Sequence, residues 1–119
     1  MAVLSYGYYI GDISVILIAK KDIKSLNNRY LGKKSSTDII AFDYSVGKHI
    51  SGDLYICYQQ VKENAKIYGV TTKNELYRVI IHGFLHLMGF TDNTAAGFKE
   101  MKKEEDNMLA LYAKYFGKI

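Results

Sequence analysis

The sequence predicts an α+β fold: a small mixed β-sheet packed with helices, with His-x-x-x-His on a central helix. Three observations predict it. Short runs rich in β-branched and apolar residues lie in the first half, while apolar residues recur at helical spacing in the second. The resulting order is strand, helix, two strands, then three helices, with no repeat and no linker. The composition is 49% hydrophobic and 24% charged over 119 residues, which suits one folded domain, 1–119, and excludes a disordered chain.

Residues 12–19, DISVILIA, read as a well-buried strand. Lys20 to Leu31 places Ile23, Leu26 and Tyr30 at helical spacing, with Asp22 as a candidate N-cap and Gly32 as the stop. GKKSS, 32–36, is a loop. DIIAFDY, 38–44, is a strand; VGKH is the turn; ISGDLYICY, 50–58, returns antiparallel to it. Gly52 within that strand marks a bulge or a close approach by another group. Residues 59–68 form a helix ended by Gly69. Thr72 and Glu75 make the capping-box pattern Thr-x-x-Glu, which opens a strongly apolar helix over 73–88, stopped by Gly89. The last helix covers 95–115. Its inner stripe is Phe98, Met101, Met108, Leu109 and Tyr112, with Lys102 and Asp106 as an ion pair on its flank. Three strands make a thin sheet.

The 73–88 helix ends HGFLHLMGFTDN. His82 and His86 are four apart, so their side chains lie one above the other on one helical face. Two imidazoles so placed converge at a spacing that suits one ion. Zinc needs a third protein ligand, and Gly89 lets the chain turn back and deliver Asp92. The alternative is an apolar helix with two hydrogen-bonded core histidines, and a bare His-x-x-x-His does not exclude it. Two unpartnered imidazoles would cost a few kcal/mol to bury, so they need a reason to be there. Gly83 stands where the zinc proteases carrying His-Glu-x-x-His have their general base, so peptidase chemistry of that type is excluded from this helix.

One cysteine, Cys57, rules out an internal disulfide; it reads as a buried small hydrophobe. The longest apolar run, VILIA, is too short to span a membrane, and the first residues have no basic leader region. A cytoplasmic protein without membrane or disulfide partners is expected. The net charge of +4 permits a polyanionic partner but equally describes a solvated lysine surface.

Several ordered blocks resemble the YbeY family of bacterial endoribonucleases, which act in ribosomal RNA maturation. His82, Gly83, Leu85, His86, Leu87, Gly89 and Phe90 stand in register with its His-Gly-x-Leu-His-Leu-x-Gly-aromatic motif. Thr37, Asp38 and Phe42 fit its Thr-Asp/Asn-Val-Leu-Ser-Phe block. Gly52, Asp53 and Ile56 fit its Gly-Asp-Ile-x-Ile strand, Leu26 and Asn27 its Leu-Asn pair, and Met101 and Glu105 its final Met-x-x-x-Glu. The similarity runs from about Gly11 to the end.

The resemblance implies a zincin-like fold holding one zinc ion, or another divalent metal, on His82, His86 and Asp92. It implies a single-strand-specific endoribonuclease working on precursor small-subunit ribosomal RNA (16S 3′-end processing) and in quality control of the small ribosomal subunit. Three departures qualify it. Asp92 takes the place of the usual third histidine, and Thr91 that of an aspartate. A carboxylate is an accepted zinc ligand, so this is a ligand swap. Leu31 stands where the family has an arginine thought to help catalysis, leaving Arg29 and Lys33 as candidate catalytic stand-ins. The resemblance implies a further strand and helix at the start of relatives, so a naturally short chain or a misassigned start is expected here, and a missing piece would expose apolar surface. Lys33, Lys34, Thr37, Asp38 and Asp53 are candidates for the RNA cleft, and Glu105 for a hydrogen-bond partner of a metal-bound histidine. Tyr44 and Tyr55 are candidates for base stacking. The rival functions are a non-catalytic ribosome-assembly or RNA-binding factor with a structural metal, and a metal hydrolase of another substrate.

Overall fold

The structure is a computed structural model that describes residues 7–32 and 37–116, with side chains through Leu111. Seven elements follow in the expected order: β1 (Tyr9–Ile18), α1 (Lys20–Leu31), β2 (Ile39–Asp43), β3 (His49–Cys57), α2 (Tyr58–Tyr68), α3 (Thr72–Leu87) and α4 (Ala95–Phe116). The fold is α+β, and the sheet is mixed. Its order is β1-β3-β2, with β3 parallel to β1 and antiparallel to β2.

β3 is central because its side chains can bury on both faces. Ile50, Leu54 and Ile56 are fully buried at alternate positions and point toward α3 and α4. There Ile50 and Leu54 meet Leu85, Leu87, Met88, Met101 and Met108. Cys57, with Ile40 of β2, faces the other way and packs under Ile23 of α1. Val61 of α2 and Val79 of α3 close a third cluster around Ile56. Helices therefore cover both faces of β3, and α3 lies directly on the sheet.

β1 departs from the expected buried strand. It is an edge strand among the described residues, and Ile10, Val15 and Leu17 are exposed. Of the two readings made of Gly52, the close approach holds, while the bulge lies beside it in β1. The β1–β3 register jumps by one residue between Ile10 and Ile13, opposite Ser51. A Cβ on Gly52 would also run into the Phe42 carbonyl oxygen and lie 2.9 Å from Leu87 Cδ2.

Three local expectations shift. Ala19, not Asp22, is the N-cap of α1, and Asp22 sits in the first turn. Thr71 caps α3, its hydroxyl accepting from the Asn74 amide at 3.0 Å, so the capping box is one residue out of register. Glu75 is buried instead of reaching back to the cap. In α4, Met101, Met108 and Leu109 face inward, but Phe98 is 57% exposed; the side chain of Tyr112 lies outside the described residues. Asp106 pairs with Arg78 of α3.

Candidate metal centre

α3 carries both histidines to the end of the sheet. Its Cα trace can lie close to β2 and β3 because residue 83 has no side chain: a Cβ there would be 2.9 Å from Ile39 Cδ1 and from both Leu54 methyl groups. The helix then stops at Met88, and Gly89, at φ +96°, takes a backbone conformation that other residues rarely adopt. The returning loop brings Asp92 over the histidines.

The result is a convergent donor set. His82 Nε2 and His86 Nε2 are 2.9 Å apart, and Asp92 Oδ2 is 3.6 Å from His82 Nε2. One ligand atom from each of the three residues fits within a 4.8 Å span. Zinc bonds of about 2.1 Å in a tetrahedron separate ligand atoms by roughly 3.4 Å. The three atoms therefore lie close enough together that one ion could be held among them. Two histidines and one carboxylate leave a fourth position for solvent or substrate.

The tautomer is also set. His82 Nδ1 lies 2.5 Å from Glu105 Oε2, and a carboxylate accepts, so Nδ1 carries the hydrogen. The neutral ring then presents the Nε2 lone pair to the donor set. Glu105 is 7% exposed, and its other oxygen accepts from Arg78 Nη1 at 3.3 Å. Arg78 Nη2 reaches Asp106 Oδ1 at 2.8 Å. Sequence reasoning found Glu105 but missed Arg78. The signal was present: residues 75, 78, 82 and 86 form one stripe at helical spacing, ending in the two histidines.

Charge in the site is strongly graded. Burial pushes the His82 pKa down, but the hydrogen bond and charge of Glu105, with the charges of Asp92 and Asp38, outweigh it and leave the pKa raised. Burial and the neighbouring His82 hold His86 below its ordinary value. Burial raises the Asp38 carboxyl despite the attraction of His82. Burial, then the charge of Asp38, raise Glu75.

The donor set opens into a cleft of about 460 Å³ between β2, the end of α1 and the end of α3. Thr37, Asp38, Ile39, Ile40, Ala41 and Asp43 form one wall; His82, His86, Leu87 and Asp92 form the other, with Leu31 at the rim. Thr37 and Asp38 thus reach the cleft. The Thr37 hydroxyl is 3.5 Å from both Asp38 Oδ1 and Ile39 O. Asp53 does not line it; it accepts from the Tyr44 hydroxyl at 3.3 Å. Tyr44 is exposed, whereas Tyr55 packs edge-on against Phe42. Arg29 is exposed on the last turn of α1, 6.0 Å from the Tyr30 ring centroid, and is not a lining residue. Lys33 and Lys34 lie outside the described residues. Among the described lining residues there is no lysine or arginine.

Comparison with known proteins gives a consistent picture. A family model described as Endoribonuclease YbeY matches residues 3–113. A protein from Azobacteroides pseudotrichonymphae named Endoribonuclease YbeY is 45% identical over 106 residues, covering 89% of this chain and 76% of its own. One of the same name from Christiangramia forsetii is 40% identical, covering 93% and 78%. The solution structure of TM1509 from Thermotoga maritima superposes with a TM-score of 0.56 at 32% identity, over 88% of this chain and 73% of that one.

Proposed function

The chain belongs to the YbeY family of endoribonucleases, and from that premise we propose that it cleaves single-stranded RNA with a metal ion held by His82, His86 and Asp92. Zinc is the ion that this donor set suits, with another divalent metal as the alternative. The observation that carries the reading is the convergence of three ligand atoms within 4.8 Å at the head of a cleft.

Bound there, the ion would supply Lewis acidity toward a phosphoryl oxygen or lower the pKa of a water molecule. The chain's own residues do the rest. Glu105 holds the His82 ring with its lone pair toward the cleft. Leu31, Ile40 and Leu87 supply apolar lining to the cleft. Asp38 is a carboxyl on the wall opposite the histidines, and burial keeps it protonated more readily than an exposed aspartate. It is therefore suited to pass a proton to a departing oxygen. Phosphate charge must be met by the ion and by basic groups, for which Lys33 and Lys34, two and three positions after α1 in sequence, are the candidates. Arg29 remains a candidate only for the outer strand path. The substrate class proposed is precursor small-subunit ribosomal RNA, encountered on the small ribosomal subunit in the cytoplasm. The domain assignment is a single unit over 1–119.

A second reading has its own observation. The described cleft wall has three carboxylates and no fixed cation, and Leu31 sits where the resemblance places an arginine. That favours a factor that binds RNA during subunit assembly and keeps the metal for stability. One experiment separates the two: cleavage of a labelled single-stranded RNA by wild type, by wild type with chelator, and by His86→Ala. Loss of cleavage in the last two supports the metal nuclease. Undiminished cleavage by His86→Ala overturns it, and tight binding without cleavage by wild type selects the assembly role.

A further inference from the structure

Glu105 and Asp106 are consecutive on α4 and so point in directions about 100° apart. One is turned inward to His82, with a side chain 10% exposed; the other is turned outward and is 57% exposed. A single group on α3 reaches both. Arg78 is one turn before His82 on the same helical face, and its two terminal nitrogens contact Glu105 and Asp106 separately. We propose that Arg78 is a positioning residue for the metal centre, its fork fixing the Glu105 carboxylate in the place from which it orients His82.

The inference rests on His82 being a ligand, and it adds how that ligand is kept in its rotamer. Glu105 has two oxygens and two tasks: Oε2 accepts from His82 Nδ1 and Oε1 accepts from Arg78. Released from Arg78, the carboxylate can rotate about its terminal torsion, a broad and soft degree of freedom. It can then no longer hold the Nδ1–H tautomer at one ring angle. Asp106 is the far anchor. It holds the guanidinium in place, so that Nη1 presents to Glu105 from a fixed direction. A lysine would supply the charge but not the fork, because its ammonium is a single point that cannot face two diverging carboxylates equally.

A purely structural clamp between α3 and α4 would show as lost stability alone. The discriminating readout is the His82 ring itself. Long-range nitrogen–proton spectra of the imidazoles, recorded on metal-free protein at alkaline pH, report which ring nitrogen carries the hydrogen. Zinc affinity by competition with a chromophoric chelator gives the second readout. Wild type should show His82 as the Nδ1–H tautomer. Arg78→Met should give a mixture of tautomers and bind zinc about 10-fold more weakly, the lower end of what loss of a ligand's hydrogen-bond partner costs. Arg78→Lys should fall between the two. Asp106→Asn removes only the exposed anchor, so folding is safe. It should weaken zinc about threefold if the fork matters, given that full loss costs about 10-fold.

Folded Arg78→Met with unchanged tautomer and zinc affinity overturns the proposal. If Arg78→Met fails to fold, unchanged tautomer and affinity in Asp106→Asn overturn it. A wild type with no measurable zinc affinity overturns the metal reading, while the tautomer comparison still tests whether Arg78 orients His82.

Discussion

Replacing Gly52 with alanine tests whether close backbone approach links the sheet to the metal centre. The new Cβ would lie inside contact distance of the Phe42 carbonyl oxygen and 2.9 Å from Leu87 Cδ2. Phe42 and Asp43 are paired with Asp53 and Gly52 in the β2–β3 ladder, so the oxygen cannot rotate away without breaking register. Leu87 is 4% exposed and has little room to yield. Overpacking of a core costs about 1–3 kcal/mol, and a clash with fixed backbone belongs at the upper end, about 3 kcal/mol. At this chain length that corresponds to a Tm lower by roughly 12 °C. Urea and thermal unfolding of metal-free protein would measure it. Gly47→Ala is the control. That residue has φ +60° with nothing within 4 Å of a Cβ, so it pays only for the left-handed backbone, about 1 kcal/mol. If Gly52→Ala costs no more than Gly47→Ala, the close-approach argument is wrong. Zinc affinity should fall as well, because Leu87 adjoins His86 and is pushed from the sheet.

Glu105→Gln replaces a charge-assisted hydrogen bond with a neutral one, and zinc should bind about 10-fold more weakly by chelator competition. The two histidines give opposite pH limbs in metal-free protein. His82 has a raised folded pKa, so its contribution is full below about 6.5 and is lost as pH rises through the raised value; His86 has a lowered one, so its contribution is present above about 6.5 and is lost as pH falls through it. His86→Ala should therefore flatten the loss of urea stability between neutral and mildly acid pH, and an unchanged slope would contradict the assignment. Asp38 has a raised folded pKa, so its ionised form opposes folding at neutral pH. Asp38→Asn should raise the Tm there, with the gain vanishing in acid, while RNA cleavage falls; a lower Tm at neutral pH would refute the burial argument. Leu31→Arg places a cation at the cleft rim and should tighten single-stranded RNA binding and steepen its salt dependence by about one ion. A salt slope equal to wild type would show that the rim does not meet the strand.

The readable parts of the fold were those with local causes. α1 and the stop at Gly89 follow from periodicity and glycine punctuation, and both appear where expected. The convergence of His82, His86 and Asp92 was readable for the same reason, since i, i+4 spacing and a helix stop fix geometry over a dozen residues. Local patterns misled where two signals competed. Thr71 and Thr72 are both plausible caps; Thr71 takes the position and Glu75 is buried. Phe98 matches the apolar stripe of α4, yet it lies in the first turn of the helix and is exposed.

The sequence by itself determined the fold class, the element order and a trio, His82, His86 and Asp92, that could hold one ion, because each depends on neighbours within a few turns of chain. Tertiary structure decided which distant residues serve them. Arg78 was visible on the ligand stripe, but its partners lie 27 and 28 positions away on α4, and only the packing of α3 on α4 brings them together. Asp38 was named in advance, but its role depends on burial against α3, which no local pattern encodes. Arg29 and Asp53 show the converse: they lie near the motifs in sequence, yet neither lines the cleft, and Asp53 accepts from Tyr44 instead. Spacing along a chain fixes what a helix or turn presents; what it is presented to is settled by packing.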